Sequence, residues 1–211
     1  MSLLMEISEA LQKGKAKVVA ELVQKAIDEN FPAGDILNQG LLSGMDIIGE
    51  KFKNNEVFVP EVLIAARAMK KGMEILQPEL AAAGNQPIGK AVIGTVKGDL
   101  HDIGKNLVRM MLEGKGIEVI DLGVDVSAEQ FFEAQQEHNA QIVCCSALLT
   151  TTMNEMKNVV DLYVKEGRRD SVKIMVGGAP VTDKFCASIA ADFYTPDAAS
   201  AADVAKEILV G

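Results

Sequence analysis

No stretch of this chain's 211 residues approaches the roughly 20 consecutive apolar residues that a helix needs to span a bilayer. That excludes a membrane-spanning helix, and no membrane partner is expected. Positive charge is also short, with 21 Lys and Arg against 30 Asp and Glu and a net charge of −9. Nucleic acid is therefore excluded as a partner, because phosphate binding needs clustered cations. The opening Met1-Ser2-Leu3-Leu4-Met5-Glu6 lacks the basic region and cleavage site of a signal peptide. Cysteine is limited to Cys144, Cys145 and Cys186. An odd count without paired ligand spacing argues against a zinc site and fits a reducing compartment. Cys144 and Cys145 stand side by side in the apolar run Ile142-Val143-Cys144-Cys145, where they read as small buried hydrophobes. These absences together predict a cytoplasmic protein.

What is present is a soluble, globular composition, 48% hydrophobic and 24% charged, with room for one large or two small domains. The amino-terminal part shows helical periodicity only. Leu4, Ile7 and Leu11 make one short apolar face, and Val18, Val19, Leu22, Val23, Ala26 and Ile27 a second. Leu37, Leu41, Met45, Ile48 and Phe52 recur at helical spacing, as do Val62, Ala66, Met69, Met73 and Leu76. Asp35 is expected to cap the third helix and Pro60 to sit in the first turn of the fourth. Four helices with short connections predict an antiparallel bundle over residues 1–78. Pro78 to Pro87, with Gly84 and Asn85 between, then reads as a linker, placing 79–89 between two domains.

From residue 90 to 211 the pattern alternates strand and helix. Strands are expected at Ala91–Val96, Glu118–Leu122, Ile142–Cys145, Lys173–Val176 and Asp192–Tyr194. Gly114 and Gly116 end the first intervening helix, and Ser127-Ala128-Glu129-Gln130 opens the second as a capping box. Repeated β-α units imply a parallel sheet with right-handed crossovers. Five units are too few for an eight-fold barrel, so the fold class is α/β. A four-helix bundle is followed by a doubly wound, flavodoxin/Rossmann-like parallel sheet of five strands.

One of only two histidines stands in Gly98-Asp99-Leu100-His101-Asp102-Ile103-Gly104, just past the first strand. That is the carboxyl end of a strand, where open α/β sheets bind ligands. Ser146-Ala147-Leu148 closes the third strand and Gly177-Gly178 the fourth. Neutral imidazole commonly ligates first-row transition metals, so His101 is a candidate metal ligand, with a helix-capping or solvated histidine as the plainer reading. Asp99, two residues earlier, is placed to support the ring's other nitrogen. Asp102 reads as a helix-start acid favoured by the dipole, and Gly104 as a point of close backbone approach.

The Asp-x-His-x-x-Gly, Ser-x-Leu and Gly-Gly elements are separated by 41 residues (Gly104 to Ser146) and by 28 residues (Leu148 to Gly177). In that order and spacing they resemble the cobalamin-binding domain of methionine synthase and the corrinoid methyl-carrier proteins. The likeness extends upstream through Gly44-Met45, Ile48-Gly49-Glu50, Phe52 and Phe58-Val59-Pro60-Glu61, and so covers roughly Asp35 to Pro180. It implies a cobalamin or related corrinoid cofactor, in its methylcobalamin form, with His101 bound to cobalt from below. It further implies a proton relay running from His101 through Asp99 to a hydroxyl at Thr152, where methionine synthase has serine. Gly98, Asp99, His101, Asp102, Ile103, Gly104, Ser146, Leu148, Thr150, Gly177 and Gly178 are then expected to hold the cofactor. Phe52 and Val59 would cap its reactive face, the second standing where methionine synthase has leucine. Several of these residues have plainer readings. Thr152-Met153-Asn154-Glu155 also fits a capping box, Gly-Gly-Ala-Pro a simple turn, and Phe52 the bundle core.

The implied function is a corrinoid subunit, catalytically incomplete alone, that carries a methyl group between two methyltransferases. One would be specific for a donor such as a methylamine, methanol, a betaine or a methyl ether. The other would pass the group to an acceptor such as tetrahydrofolate or coenzyme M, and a reductive activating protein is a further expected partner. The alternatives are the cobalamin subunit of an adenosylcobalamin mutase and a cobalamin-dependent regulator. The preceding helical part argues against the first, and the lack of a basic patch or recognition helix argues against the second.

Overall fold

The computed structural model describes residues 2–211, which form two compact units. The first extends to Pro87 and takes in Gly114–Gly116; the second comprises Ile88–Glu113 and Ile117–Gly211.

The first unit is all helical. α1 (Leu3–Gln12) opens where the Ser2 hydroxyl accepts from the Met5 N–H, and it buries Leu4, Ile7 and Leu11. α2 (Ala16–Asp28) buries Val19, Val23 and Ala26. The third helix is continuous but irregular: α3 (Ala33–Asp35) runs into a π-helical stretch (Ile36–Leu42) and then into α4 (Ser43–Lys53). Its wider turn puts one extra residue into the repeat, so the buried stripe steps from Ile36 to Leu41 before resuming through Met45 and Ile48. Leu37, expected on that stripe, is only half-buried for this reason. Asp35 does not cap the helix. The chain enters the helix after Pro32, so Asp35 already has helical dihedrals, and its carboxylate accepts from Gln39 Nε2 at 3.3 Å.

α5 (Val59–Ala82) starts as expected, with Pro60 in its first turn and the Glu61 carboxylate accepting from the Phe58 N–H at 3.0 Å. It does not stop at Pro78. The apolar spacing that buries Leu76 continues to Leu80, and the helix carries through the proline to Ala82. Proline removes one backbone donor, and burial of this stripe outweighs that loss.

The second unit is a five-stranded, all-parallel sheet in the order β2-β1-β3-β4-β5. Its strands are β1 (Lys90–Thr95), β2 (Glu118–Asp121), β3 (Ile142–Ser146), β4 (Lys173–Gly177) and β5 (Phe193–Tyr194). The connecting helices are α6 (Ile103–Glu113), α7 (Ala128–His138), α8 (Asn154–Lys165) and α9 (Asp183–Ser188), and α10 (Ala198–Val210) closes the unit. Ser127 caps α7 in the reciprocal arrangement read from its sequence, with Gln130 Oε1 accepting from the Ser127 N–H at 2.9 Å. Val92, Val143 and Ile174 point to one face, where Phe131 of α7 and Met156, Val159, Val160 and Tyr163 of α8 cover them. Period-two alternation sends Ile93, Cys144 and Met175 to the other face.

All three cysteines are buried. Burial pushes the Cys144 thiol up to about 12, so it stays protonated and unreactive at neutral pH, like a small hydrophobe. No helix among the described residues is long and apolar enough to cross a membrane.

This strand order reverses direction between β1 and β3, since β1 leads outward to β2 while β3 leads the other way to β4. The loops leaving β1 and β3 therefore stand at the topological switch point of the carboxyl edge, where open α/β sheets bind ligands.

Candidate functional site

The loop leaving β1 begins as a tight turn in which the Asp99 N–H donates to the Val96 carbonyl at 3.1 Å. Gly98 occupies its third position at φ +80°, the left-handed geometry a type II turn requires there. A Cβ on Gly98 would meet Thr152 Cγ2 at 3.6 Å, so strain of the backbone and not crowding selects glycine.

Asp99 is fully buried and saturated with donors. Its Oδ1 accepts from the His101 N–H at 3.1 Å and lies 2.9 Å from His101 Nδ1. Its Oδ2 accepts from the N–H groups of Leu148 at 2.8 Å and Leu149 at 3.1 Å, and from Thr152 Oγ1 at 2.8 Å. Burial alone would raise this carboxyl. The hydrogen bonds from Leu148, His101 and Thr152 outweigh it and hold Asp99 well below the usual carboxylate range. An ionised carboxylate can only accept, so Nδ1 faces Asp99 as an N–H, and in the tautomer this selects Nε2 carries the lone pair. The His101 side chain is 52% exposed, and no hydrogen bond among the described residues engages Nε2. A ring fixed at one nitrogen and open at the other is the arrangement of a metal-ligating histidine.

Thr152 does not cap α8. That helix starts at Asn154 without a side-chain cap, and the Thr152 hydroxyl lies on Asp99 and within 2.9 Å of the Leu149 carbonyl. It has one hydrogen for two acceptors, and the charged carboxylate is the stronger of them. Asp102 immediately precedes α6, as expected of a helix-start acid. Its carbonyl accepts from the Asn106 N–H and its carboxylate from Asn106 Nδ2.

Ser146 and Gly177 are register partners at the ends of β3 and β4, in line with Thr95 at the end of β1. A Cβ on Gly177 or on Gly104 would meet nothing within 4 Å, so both leave open room. Gly178 is different: at φ +131° a Cβ would fall 1.8 Å from the Ala147 carbonyl oxygen, and only glycine lets the two loops lie this close. Around the half-exposed imidazole the surface is apolar. Leu100 is 71% and Ile103 78% exposed, and Leu148 and Leu149 are each 41% exposed. Ile103 and Leu148 were among the expected cofactor contacts, and Thr150 lies exposed in the same β3–α8 loop. Phe52, near the end of α4, and Val59, first in α5, belong to the helical unit, where both are half-buried.

Sequence reading missed several parts of this constellation. Thr95 Oγ1 donates to the His101 carbonyl at 2.8 Å, and a lone hydroxyl in the apolar run Ala91–Val96 was its signal. Lys105, 2% exposed, pairs with Asp121 at 2.6 Å and with Asn106 Oδ1 at 2.9 Å. Arg109 reaches the other oxygen of Asp121 at 2.8 Å, so this cluster ties the first turns of α6 to the end of β2. Opposing Lys105 at 16 residues' separation, Asp121 left no local signal.

Known proteins resemble this chain over nearly its whole length. A B12 binding domain family model matches residues 89–203, and a second B12 binding domain model matches residues 3–77. A corrinoid protein of Desulfitobacterium hafniense is 43% identical over 99% of this chain and 98% of its own length. Dimethylamine corrinoid protein 1 of Methanosarcina mazei is 42% identical over 99% of this chain and 97% of its own. Among solved structures, the methanol:cobalamin methyltransferase complex of Methanosarcina barkeri matches with a TM-score of 0.90 and 32% identity, covering 99% of this chain and 80% of the matched one. The chain belongs to the corrinoid proteins built from B12 binding domains.

Proposed function

We propose that this member of the corrinoid proteins is a methyl carrier, working between a donor-specific methyltransferase and a second methyltransferase that serves an acceptor. When bound, the corrinoid supplies a cobalt centre that takes a methyl group from one partner's substrate and gives it to the other's. The observation that carries the reading is the His101 ring, held through Nδ1 on buried Asp99 while half the side chain is exposed at the carboxyl edge of the sheet. Among the described residues no three His, Cys, Asp or Glu gather as a metal site. A single protein ligand would suit a metal otherwise held by its own macrocycle, and exposed Leu100, Ile103, Leu148 and Leu149 would offer that macrocycle apolar contacts.

On this reading His101 would hold the metal through Nε2. Asp99 stays anionic and would hold the ring in the tautomer whose Nε2 is free for the metal. Thr152 holds the far oxygen of Asp99 in place. The open space at Gly177, register partner of Ser146, would receive the nucleotide tail. Donors of the methylamine or methanol type are favoured by the names of the similar proteins. The acceptor is of the tetrahydrofolate or coenzyme M class, and a reductive activating protein completes the set of partners.

Reconstitution with hydroxocobalamin tests this. The wild-type protein should bind about one equivalent and show a histidine-ligated visible spectrum, and His101→Ala should lose that ligation while its circular dichroism stays unchanged. An identical spectrum in the variant removes His101 from the metal and sinks the reading. Donor class is then settled by supplying methylamine- and methanol-specific methyltransferases in turn and following the cobalt spectrum.

A further inference from the structure

We infer that Asp125, in the loop between β2 and α7, is a positioning residue for the Asp99–His101 pair. It grips the β1 loop at two points. Its Oδ1 accepts from the Gly98 N–H at 2.7 Å, and its own N–H donates to the Asp99 carbonyl at 3.1 Å. These two bonds bracket the Asp99 Cα, so they fix the direction in which its side chain leaves the backbone. The grip continues a zipper along the end of β1. The Thr95 N–H donates to the Gly123 carbonyl, the Val126 N–H donates to the Thr95 carbonyl, and Val96 bridges Val126. With Thr95 Oγ1 on the His101 carbonyl, the loop is held from outside at Gly98, at the Asp99 carbonyl and at the His101 carbonyl.

The backbone of Asp125 supports the assignment. It sits at φ +56°, a left-handed conformation unfavourable for most side chains and best tolerated by Gly, Asn and Asp. In that conformation Asp125 presents its amide and its carboxylate to the same neighbouring loop. A merely structural turn has no need of the acceptor. Gly123, two residues earlier at φ +83°, shows that glycine serves where the conformation alone is wanted. Strain retained beside a site, in a residue that also supplies a bond to it, points to a role in holding that site.

Three substitutions separate the side chain from the backbone. Asp125→Asn keeps both the acceptor and the left-handed preference; Asp125→Gly keeps the conformation and loses the acceptor; Asp125→Ala loses both. The first readout needs no cofactor: nitrogen NMR of the His101 ring in the apoprotein reports whether Nδ1 still carries the proton toward Asp99. Asn should match wild type, whereas Gly and Ala should show mixed tautomers. The second readout is hydroxocobalamin affinity, which should fall about 10-fold in Gly and Ala, the lower end of what indirect support of a metal ligand is worth. Wild-type behaviour of Asp125→Gly in both measurements overturns the proposal, leaving only a conformational preference. So does an Asp125→Asn protein as impaired as Asp125→Ala. The cofactor arm rests on His101 as the cobalt ligand, but the tautomer arm does not. If His101→Ala leaves the cobalt spectrum intact, the site reading fails while the NMR still decides the role of Asp125.

Discussion

The two units bury very different material. Among the described residues the helical unit buries one polar side chain, Ser8, whereas the sheet unit buries Thr95, Asp99, Lys105, Gln135 and Thr152. Three of those five, Thr95, Asp99 and Thr152, bond to the His101 loop or to one another. A buried polar group destabilises unless its partners are all present, so a network of this kind is retained where it does something besides hold the fold. The irregularities divide in the same way. In the helical unit the π-helical stretch and Pro78 are absorbed into apolar stripes. In the sheet unit Gly98 and Asp125 meet at the β1 loop, and Gly178 lies against Ala147 at the start of the loop after β3.

Asp99→Asn should break this contrast most severely. The amide keeps the volume but has one acceptor oxygen where two are used. Either His101 or the trio of Leu148, Leu149 and Thr152 would then face a second donor. Loss of a buried charge with satisfied partners costs about 3 kcal/mol, read by urea unfolding. The effect carries a pH signature. Because the folded-state carboxyl lies below its ordinary value, its stabilisation is complete above about pH 4 and is lost as the pH falls through the folded-state value. The gap between wild type and Asp99→Asn should therefore be widest near neutrality and narrow toward pH 3. A gap that stays constant over that range means that the carboxylate charge is not what the network stabilises.

Thr152 offers a smaller and cleaner cut. Thr152→Val removes the hydroxyl while keeping the shape, which should lower stability by about 1 kcal/mol. Thr152→Ser should restore most of it. If Val and Ser behave alike, packing and not the bond to Asp99 explains the residue.

The same contrast governs what could be read from the sequence. Helical and strand periodicities gave the four-helix part, the five strands and the capped α7 because each is a local pattern backed by burial. The pairing of Asp99 with His101 was legible for the same reason, being two residues apart in one turn. The π-helical shift was not, since it changes the repeat without changing the residue types. The hydroxyl of Thr152 lies 53 residues from Asp99 in the chain, and its own neighbourhood reads equally well as a helix cap. From spacing alone Asp125 is simply a turn residue; only the fold brings it against Gly98.

Pro78 gives the smallest and most discriminating prediction. If the irregular points of the helical unit are tolerated and not used, repairing one should be harmless. Pro78→Ala returns a backbone donor to the interior of α5 and leaves Leu76 and Leu80 on their buried stripe. An unaccommodated interior proline costs about 3 kcal/mol, but proline also stiffens the unfolded chain. α5 already runs through Pro78 with its stripe buried, so most of that cost is absent and the expected gain is about 0.5 kcal/mol, measured as a rise in Tm, with hydroxocobalamin affinity unchanged. Asp125→Gly, which also relieves an irregular backbone, should instead weaken cofactor binding. Should Pro78→Ala lower both Tm and affinity, the helical unit holds a functional irregularity too, and the division drawn between the units does not stand.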